Sequence, residues 1–501
     1  MIKKVLIANR GEIACRVIRT CRELGIKTVA VYSDADKEAL HRSFADESVY
    51  IGEPEPSKSY LSIEKIINAA LESGADAIHP GYGFLSERAE FAQACREAGV
   101  IFIGPSPEAM SKLGAKIDAK NIAVKCGVPI TPGYFVVGAT DDDLRKAAAE
   151  IGYPVMLKAS AGGGGRGMRA VWNESEFDDT IRLAREESVK AFGDGEMMVE
   201  KLVERPRHIE VQILADSHGT VACLFERECS LQRRHQKIVE EAPSPAMTEK
   251  LWQEMKSASQ KLILEAGYVG AGTVEYMTDD KAENFYFLEV NARLQVEHPV
   301  TELITGIDLV EQQIRVAQGE KLNLPAGLIN GDRNAIRGHA IEARIIAEDP
   351  AKGFLPSIGK IAFWAEPKGD GVRFDTGFNS ASTITQYYDS LIAKLITHSA
   401  TRSSAIKRLE LALEDTHILG VKTNITYLLD VIRHPGFGAG DIDTGFLGRH
   451  FPDWHPNVEL PEALGDLLGM ATASAQQPAA GKTGSTKPAW ETADGFRIVR
   501  N

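Results

Sequence analysis

The stretch Lys158–Arg169, KASAGGGGRGMR, sets five glycines in six consecutive positions, with strand-like apolar runs on both sides: YPVMLKAS before it and MRAVW after it. Strand, glycine hairpin and strand together exclude two familiar phosphate motifs. A P-loop needs GxxxxGK[ST], its lysine and hydroxyl opening a helix, whereas Lys158 precedes the glycines. The one GKT, Gly481–Thr483, has Gln476 where the first glycine should stand. A dinucleotide fingerprint puts its glycines between the first strand and a helix, but here the first strand leads into ANRGEIA. What remains is a flap whose bare amides fold over phosphates while Lys158 anchors from the side. A surface hairpin without a ligand is the alternative.

A chain of 501 residues exceeds what one hydrophobic core holds, so several subdomains are expected. KKVLIA, KTVAVYS, ADAIHP and VIFIG read as strands alternating with helices at EIACRVIRTCRELG and SERAEFAQACREAG, a parallel α/β unit over residues 1–115. Residues 116–330 form a second domain. Within it, a lid of about 130–203 carries GYFVVG, YPVMLKAS and MRAVW with two polar helices, followed by the antiparallel strands HIEVQILAD, TVACLFERE, GTVEYM and NFYFLEVNAR. Residues 331–450 mix the strands GHAIEARI and KLITHS with helices, and 451–501 are a tail whose stretch 471–487 reads as a flexible linker. A net charge of -13 argues against nucleic acid or an anionic membrane as the main partner. The six cysteines show no CxxC pair, and no apolar run matches a signal core or a membrane span, so reduced thiols and a cytosolic location are expected.

Two charged segments carry chemistry. The strands GTVEYM and NFYFLEVNAR flank the polar turn DDKAEN. The midpoint of Glu275 and Glu289, residue 282, falls in that turn, so the two carboxylates should face each other. Alternation adds Asn291 and Arg293 to that face and buries Tyr286, Leu288 and Val290. Oxygen ligands so placed suit Mg²⁺ or Mn²⁺ held together with nucleotide phosphates; a solvated acidic face is the alternative. The run ERECSLQRRHQKIVEEAPS concentrates Arg233, Arg234, His235 and Lys237, a candidate anion site.

The segments IANRGEIACRVIRT, HPGYGFLSE, KASAGGGGRGM, VEKLVERPRHIEVQ, ECSLQRRHQKIVEEAPSP, FLEVNARLQVEHPVTE, RGHAIEARI and DSLIAKL follow one another over about residues 2 to 450. In that order they closely resemble the biotin carboxylases of the ATP-grasp superfamily. The resemblance implies Lys116 and Lys158 on ATP phosphates, under a flap of Gly162, Gly163, Gly164, Gly165 and Gly167. It implies Glu200 and the Leu202 backbone at adenine, with His208, Gln232 and His235 around ribose and phosphates, and Glu275, Glu289 and Asn291 on the metals. Lys237, Arg293, Gln295 and the Val296 amide would bind bicarbonate, Glu297 would deprotonate it, and Arg344 would stabilise the biotin enolate with Tyr82 nearby.

These residue types suit the implied chemistry. Bicarbonate is a weak nucleophile, so a base must take its proton while cations hold the dianion for attack on the γ-phosphoryl. The resulting carboxyphosphate would yield CO₂ and phosphate in a site closed to water. Two features depart from the family pattern. Arg88 stands where asparagine is common, and the family's Met-Lys-Met biotin acceptor is lacking, since Met255-Lys256 lies in a helical segment. Biotin is therefore expected on a separate carrier, either another chain or a domain beyond Asn501, with a carboxyltransferase and a second copy of the chain as further partners. A carboxylate–amine ligase working through an acyl phosphate is the alternative enzyme.

Overall fold

The computed structural model describes residues 1–160, 167–234, 236–279 and 281–456. The apolar run KVLI forms β1 (Lys4–Ile7), whose Val5, Leu6 and Ile7 are fully buried, as in a strand covered on both faces. It pairs in parallel with β2 (Lys27–Ser33) and β4 (Ala77–His79), and β3 (Glu47–Gly52) and β5 (Ile101–Phe102) complete a five-stranded parallel sheet ordered β3-β2-β1-β4-β5. Helix α1 (Gly11–Glu23) makes the first crossover. The edge strand β3 leaves a weak apolar signature in the sequence, because only Ile51 of its six residues is buried. After β1, the Asn9 amide donates to the carbonyls of Pro80 and Tyr82, both at 2.8 Å, and so fixes the HPGYG loop. Gly81, at φ +64°, must be glycine: a Cβ there would stand 2.8 Å from Asn9 Nδ2.

The lid is an antiparallel sheet of β6 (Gly133–Tyr134), β7 (Val155–Ala159), β8 (Met168–Val171) and β9 (Met197–Lys201), ordered β6-β9-β7-β8. Helices Asp141–Ile151 and Phe177–Phe192 turn one apolar stripe each onto it, and Leu144, Leu157, Phe177 and Val199 share a small core. The glycine run joins β7 to β8, which pair at Lys158↔Met168, so strands flank it on both sides. Gly162, Gly163, Gly164 and Gly165 lie outside the described residues, as do His235 and the 471–487 stretch.

The largest sheet has eight antiparallel strands. It runs β14 (Phe285–Asn291), β13 (Gly270–Thr278), β10 (Arg207–Ala215), β11 (Val221–Arg233), β12 (Gln236–Ala242), β15 (His339–Ile346), then strands Leu391–Ser399 and Val372–Thr376. The sheet crosses residues 330 and 331 without interruption, β12 pairing with β15 at Glu240↔Glu342. The basic run is therefore the tip of a β11–β12 hairpin rather than a segment beside one strand. Glu275 faces Glu289 as the turn midpoint predicts, but a bulge shifts the ladder so that Tyr276 faces Phe287. Parity changes at the bulge, which corrects one expectation: Phe285, Phe287 and Val290 are buried, whereas Tyr286 and Leu288 are half-buried.

The carboxy-terminal strands close against α1. A Cβ on Gly377 would meet the Gly11 and Glu12 backbone at 2.4–2.6 Å, so only glycine permits that approach. All six cysteines are free, and among the described residues no helix is long and apolar enough to cross a membrane.

Arg88 is the N-cap of helix Ala89–Glu97 and makes no side-chain cap hydrogen bond. Arg88→Asn supplies one, so chemical denaturation should show a gain of about 1 kcal/mol in stability; no gain would mean that the cap is satisfied in another way.

Candidate active site

Strand register builds the centre of the site. At one level of the large sheet Glu289 faces Glu275, Glu275 faces Glu210, and Glu210 faces Arg227. Directly opposed residues share a face, so three carboxylates stand side by side across β14, β13 and β10. Like charges in that arrangement repel. Lys237, on β12, supplies the compensation: its Nζ donates to Glu210 Oε2 at 2.6 Å, Glu275 Oε1 at 3.0 Å and Glu297 Oε1 at 2.6 Å. Arg227 Nε donates to the other Glu210 oxygen at 2.5 Å, and His208 Nε2 lies 3.0 Å from Glu275 Oε2.

Glu297 is fully buried, and both its oxygens are taken. Arg344, reaching over from β15, donates to Glu297 Oε2 at 2.9 Å and through Nε to Glu240 Oε1 at 2.6 Å. Burial would raise the Glu297 carboxyl, but Lys237, Arg344 and Arg227 hold it well below the usual carboxylate range. Burial would likewise lower Lys237, yet Glu210, Glu275 and Glu297 keep it well above the usual lysine range. Glu297 is thus a weak base while both cations grip it. An anion drawing Lys237 and Arg344 toward itself would raise the proton affinity of Glu297, so base strength is coupled to the arrival of an anionic substrate.

Arg293 extends the cationic side. Its Nε donates to Glu87 Oε2 at 2.9 Å, and its two terminal nitrogens donate to Gln295 Oε1 at 3.0 Å and Asn291 Oδ1 at 3.1 Å. Glu87, the last residue of HPGYGFLSE, thereby orients an arginine some two hundred positions away. Lys116 lies 3.8 Å from Glu289. Glu200 is pinned between Lys158 and Lys120, the latter at 2.5 Å, and accepts from Thr131 Oγ1 at 2.8 Å. Gln232 Nε2 meets His208 Nδ1 at 2.7 Å.

One cavity of about 1720 Å³ is lined by Tyr82, Lys116, Lys158, Glu200, Leu202, His208, Gln232, Lys237, Glu275, Glu289, Asn291, Arg293, Gln295, Val296 and Arg344. That volume exceeds what a nucleotide alone requires. Four expected residues stand differently from the rest. Gly167 does not line the cavity and packs with Ala159 3.0 Å from where a Cβ would be. The Leu202 amide donates to the Pro154 carbonyl at 3.1 Å, and the Tyr82 hydroxyl donates to Glu12. Arg233 turns away from the main cavity and pairs with Glu348. The sequence reading missed Glu210, Arg227, Glu240, Lys120 and the orienting Glu87. Glu210 had a signal: it is a carboxylate between the strand residues Ile209 and Val211, and a carboxylate buried there requires a cation as partner.

Known proteins share this arrangement. Residues 1–110 match the biotin carboxylase N-terminal domain model, 115–324 the carbamoyl-phosphate synthase L chain ATP-binding domain, and 342–449 the biotin carboxylase C-terminal domain. Biotin carboxylase 2 of Bacillus subtilis is 51% identical over 450 residues, covering 90% of this chain and 100% of the relative. The chain belongs to the biotin carboxylase family. The propionyl-CoA carboxylase alpha chain of Ruegeria pomeroyi is 48% identical, and the match covers 95% of this chain but 72% of that one. Among solved structures, the biotin carboxylase domain dimer of Hydrogenobacter thermophilus 2-oxoglutarate carboxylase, in complex with MgADP, ADP and bicarbonate, is 48% identical with a TM-score of 0.86, covering 90% of this chain and 98% of that one. The eight-stranded sheet with its lid is thus the ATP-grasp fold of biotin carboxylases.

The donor set of the acidic row fits a divalent cation. Glu275, Glu289 and Asn291 offer hard oxygen atoms to a single cavity, and Glu289, whose one ion pair among the described residues is the 3.8 Å contact with Lys116, is the most open of them.

Burial pushes Glu240 up from 4.5 to about 7, with Arg344 pulling against it and Glu297 adding to it. The native protein therefore keeps a proton that the unfolded chain loses near 4.5, and this contribution makes stability fall as pH rises between those values. Glu240→Gln should flatten that fall in denaturant midpoints measured from about pH 5 to pH 7; an unchanged slope would assign it to another group.

Proposed function

We propose that this biotin carboxylase activates bicarbonate with ATP and transfers the carboxyl group to biotin through the residues of the Lys237–Glu297–Arg344 triangle. The single observation that carries the residue assignment is that Glu297, a buried carboxylate, is held by two cations that both line the cavity. Lys237 and Arg293, with Gln295 and the Val296 amide, bind bicarbonate. As the anion draws Lys237 and Arg344 from Glu297, that carboxylate takes the bicarbonate proton. Lys116 and Lys158 neutralise the phosphates during attack on the γ-phosphoryl group, and Glu200, Leu202, His208, Gln232 and His235 hold the rest of the nucleotide. When bound at Glu275, Glu289 and Asn291, Mg²⁺ or Mn²⁺ supplies charge neutralisation at the phosphate oxygens.

Carboxyphosphate then breaks down to CO₂ and phosphate, the phosphate accepts the N1 proton of biotin, and N1 bonds to the CO₂ carbon to give carboxybiotin. Arg344, released from Glu297 once that carboxylate is protonated and still backed by Glu240, faces the enolate oxygen of biotin beside Tyr82. The lid, residues 130–203 with Gly162–Gly165 and Gly167, closes to keep water from the intermediate. Biotin arrives on a carrier protein, the product passes to a carboxyltransferase, and two copies of the chain pair as a homodimer. The match to a propionyl-CoA carboxylase alpha chain and the dimer of the 2-oxoglutarate carboxylase domain support this assembly.

ATP cleavage should depend on bicarbonate and rise with free biotin; phosphate release indifferent to both would end the reading. Arg344→Ala should lower carboxybiotin formation by roughly 10²-fold or more while nucleotide binding persists. Undiminished carboxybiotin would remove Arg344 from the mechanism.

A further inference from the structure

We propose that a second cavity beside the catalytic one, about 610 Å³ in volume, is the docking site for the peptide segment that presents biotinyl-lysine, gripping its main chain through Arg233 and Glu348. The inference rests on the biotin carboxylase activity and adds where the carrier is held.

Position comes first. Arg234, Gln236, Tyr388 and Asp389 line both cavities, so the smaller one is a vestibule of the larger. A group tethered to a protein must enter with its anchor left outside, and a vestibule continuous with the reaction cavity is where that anchor comes to rest.

Chemistry selects the occupant. Arg233 donates to Glu348 Oε2 at 2.7 Å, and its guanidinium lies over the Phe354 ring at 3.9 Å. Phe354 itself has a left-handed backbone conformation, φ +64°. Glu348 is only 4% exposed, yet its Oε1 has no hydrogen-bond partner among the described residues, and neither has the buried Nε of Arg233. Leaving a buried polar atom unpaired costs about 1–3 kcal/mol, so this floor is built for something that pairs with it. One donor beside one acceptor matches a peptide group, whose carbonyl accepts from Nε–H while its N–H donates to Oε1. Charge excludes other guests: Arg233 and Arg234 are offset by Glu348 and Asp389, so nothing here calls for a phosphate-bearing ligand. Pro356, Ile384 and the 57% exposed Ile358 add apolar surface for the side chains on either side of the lysine. The shared wall is rigid, because the Tyr388 hydroxyl lies 2.5 Å from Ser33 Oγ and Arg10 covers its ring at 4.2 Å.

The test compares bicarbonate-dependent ATP cleavage stimulated by free biotin with that stimulated by a five-residue peptide of alanines around a central biotinyl-lysine. In the unaltered protein the peptide should show a KM roughly tenfold below that of free biotin. Ile358→Asp, on the exposed lip, and Glu348→Gln, on the floor, should each abolish that advantage while free-biotin kinetics stay within about twofold. A peptide with no advantage over biotin, or an advantage kept by both variants, would overturn the docking site. No bicarbonate-dependent cleavage with free biotin in the unaltered protein would instead sink the activity on which it rests.

Discussion

Glu210, Glu275 and Glu289 stand side by side across three strands with Lys237 fixed at the first two and Lys116 beside the third. One ammonium group reaches Glu210, Glu275 and Glu297 within 3.0 Å, and Arg227 and His208 take the oxygens it leaves. Removing one partner from such a buried ion cluster typically costs about 3–5 kcal/mol, because charges are left unpaired in a low dielectric. The same balance is what a substrate exploits. An anion entering the cavity competes for Lys237, and every carboxylate that Lys237 releases becomes a better base or a better metal ligand.

The sheet that fixes this cluster also joins the parts of the chain. β10 to β14 carry the acidic row and Lys237, while β15 carries Arg344 and pairs directly with β12. Glu240 and Glu342 face each other across that pair, and burial holds the carboxyl of Glu342 well above its usual range, so the two do not bring two full charges behind Arg344. Lys394 ties in the remaining elements: it donates to the Val296 carbonyl at 2.9 Å and stands 3.2 Å from Glu12 of α1. Arg16 of the same helix meets Glu302 at 2.7 Å. Segments from the start, middle and end of the chain are thus needed before Glu297 has its surroundings.

Much of this was legible in the residues. Apolar runs marked β1, β2, β4 and β10, and the turn midpoint gave the Glu275–Glu289 pairing, because burial and turn chemistry are local and periodic. The edge strand β3 and β12 were not, since the first buries little and the second reads as a run of charge. The bulge at Leu288 was also invisible: its cause is packing of Phe285 and Phe287 into the core, which no two-residue alternation records.

The sequence by itself determined which groups were available: a glycine hairpin behind a lysine, paired glutamates on a hairpin, and cations near a buried glutamate. Its motifs, taken in order, resembled one family. Tertiary structure alone decided who neutralises whom. That Glu87 orients Arg293, that Glu240 backs Arg344, and that Glu200 sits between Lys120 and Lys158 all depend on contacts between residues far apart in the chain. Ionic energies in a buried site change over a few ångströms, whereas spacing along a sequence fixes such distances only within one strand, helix or turn.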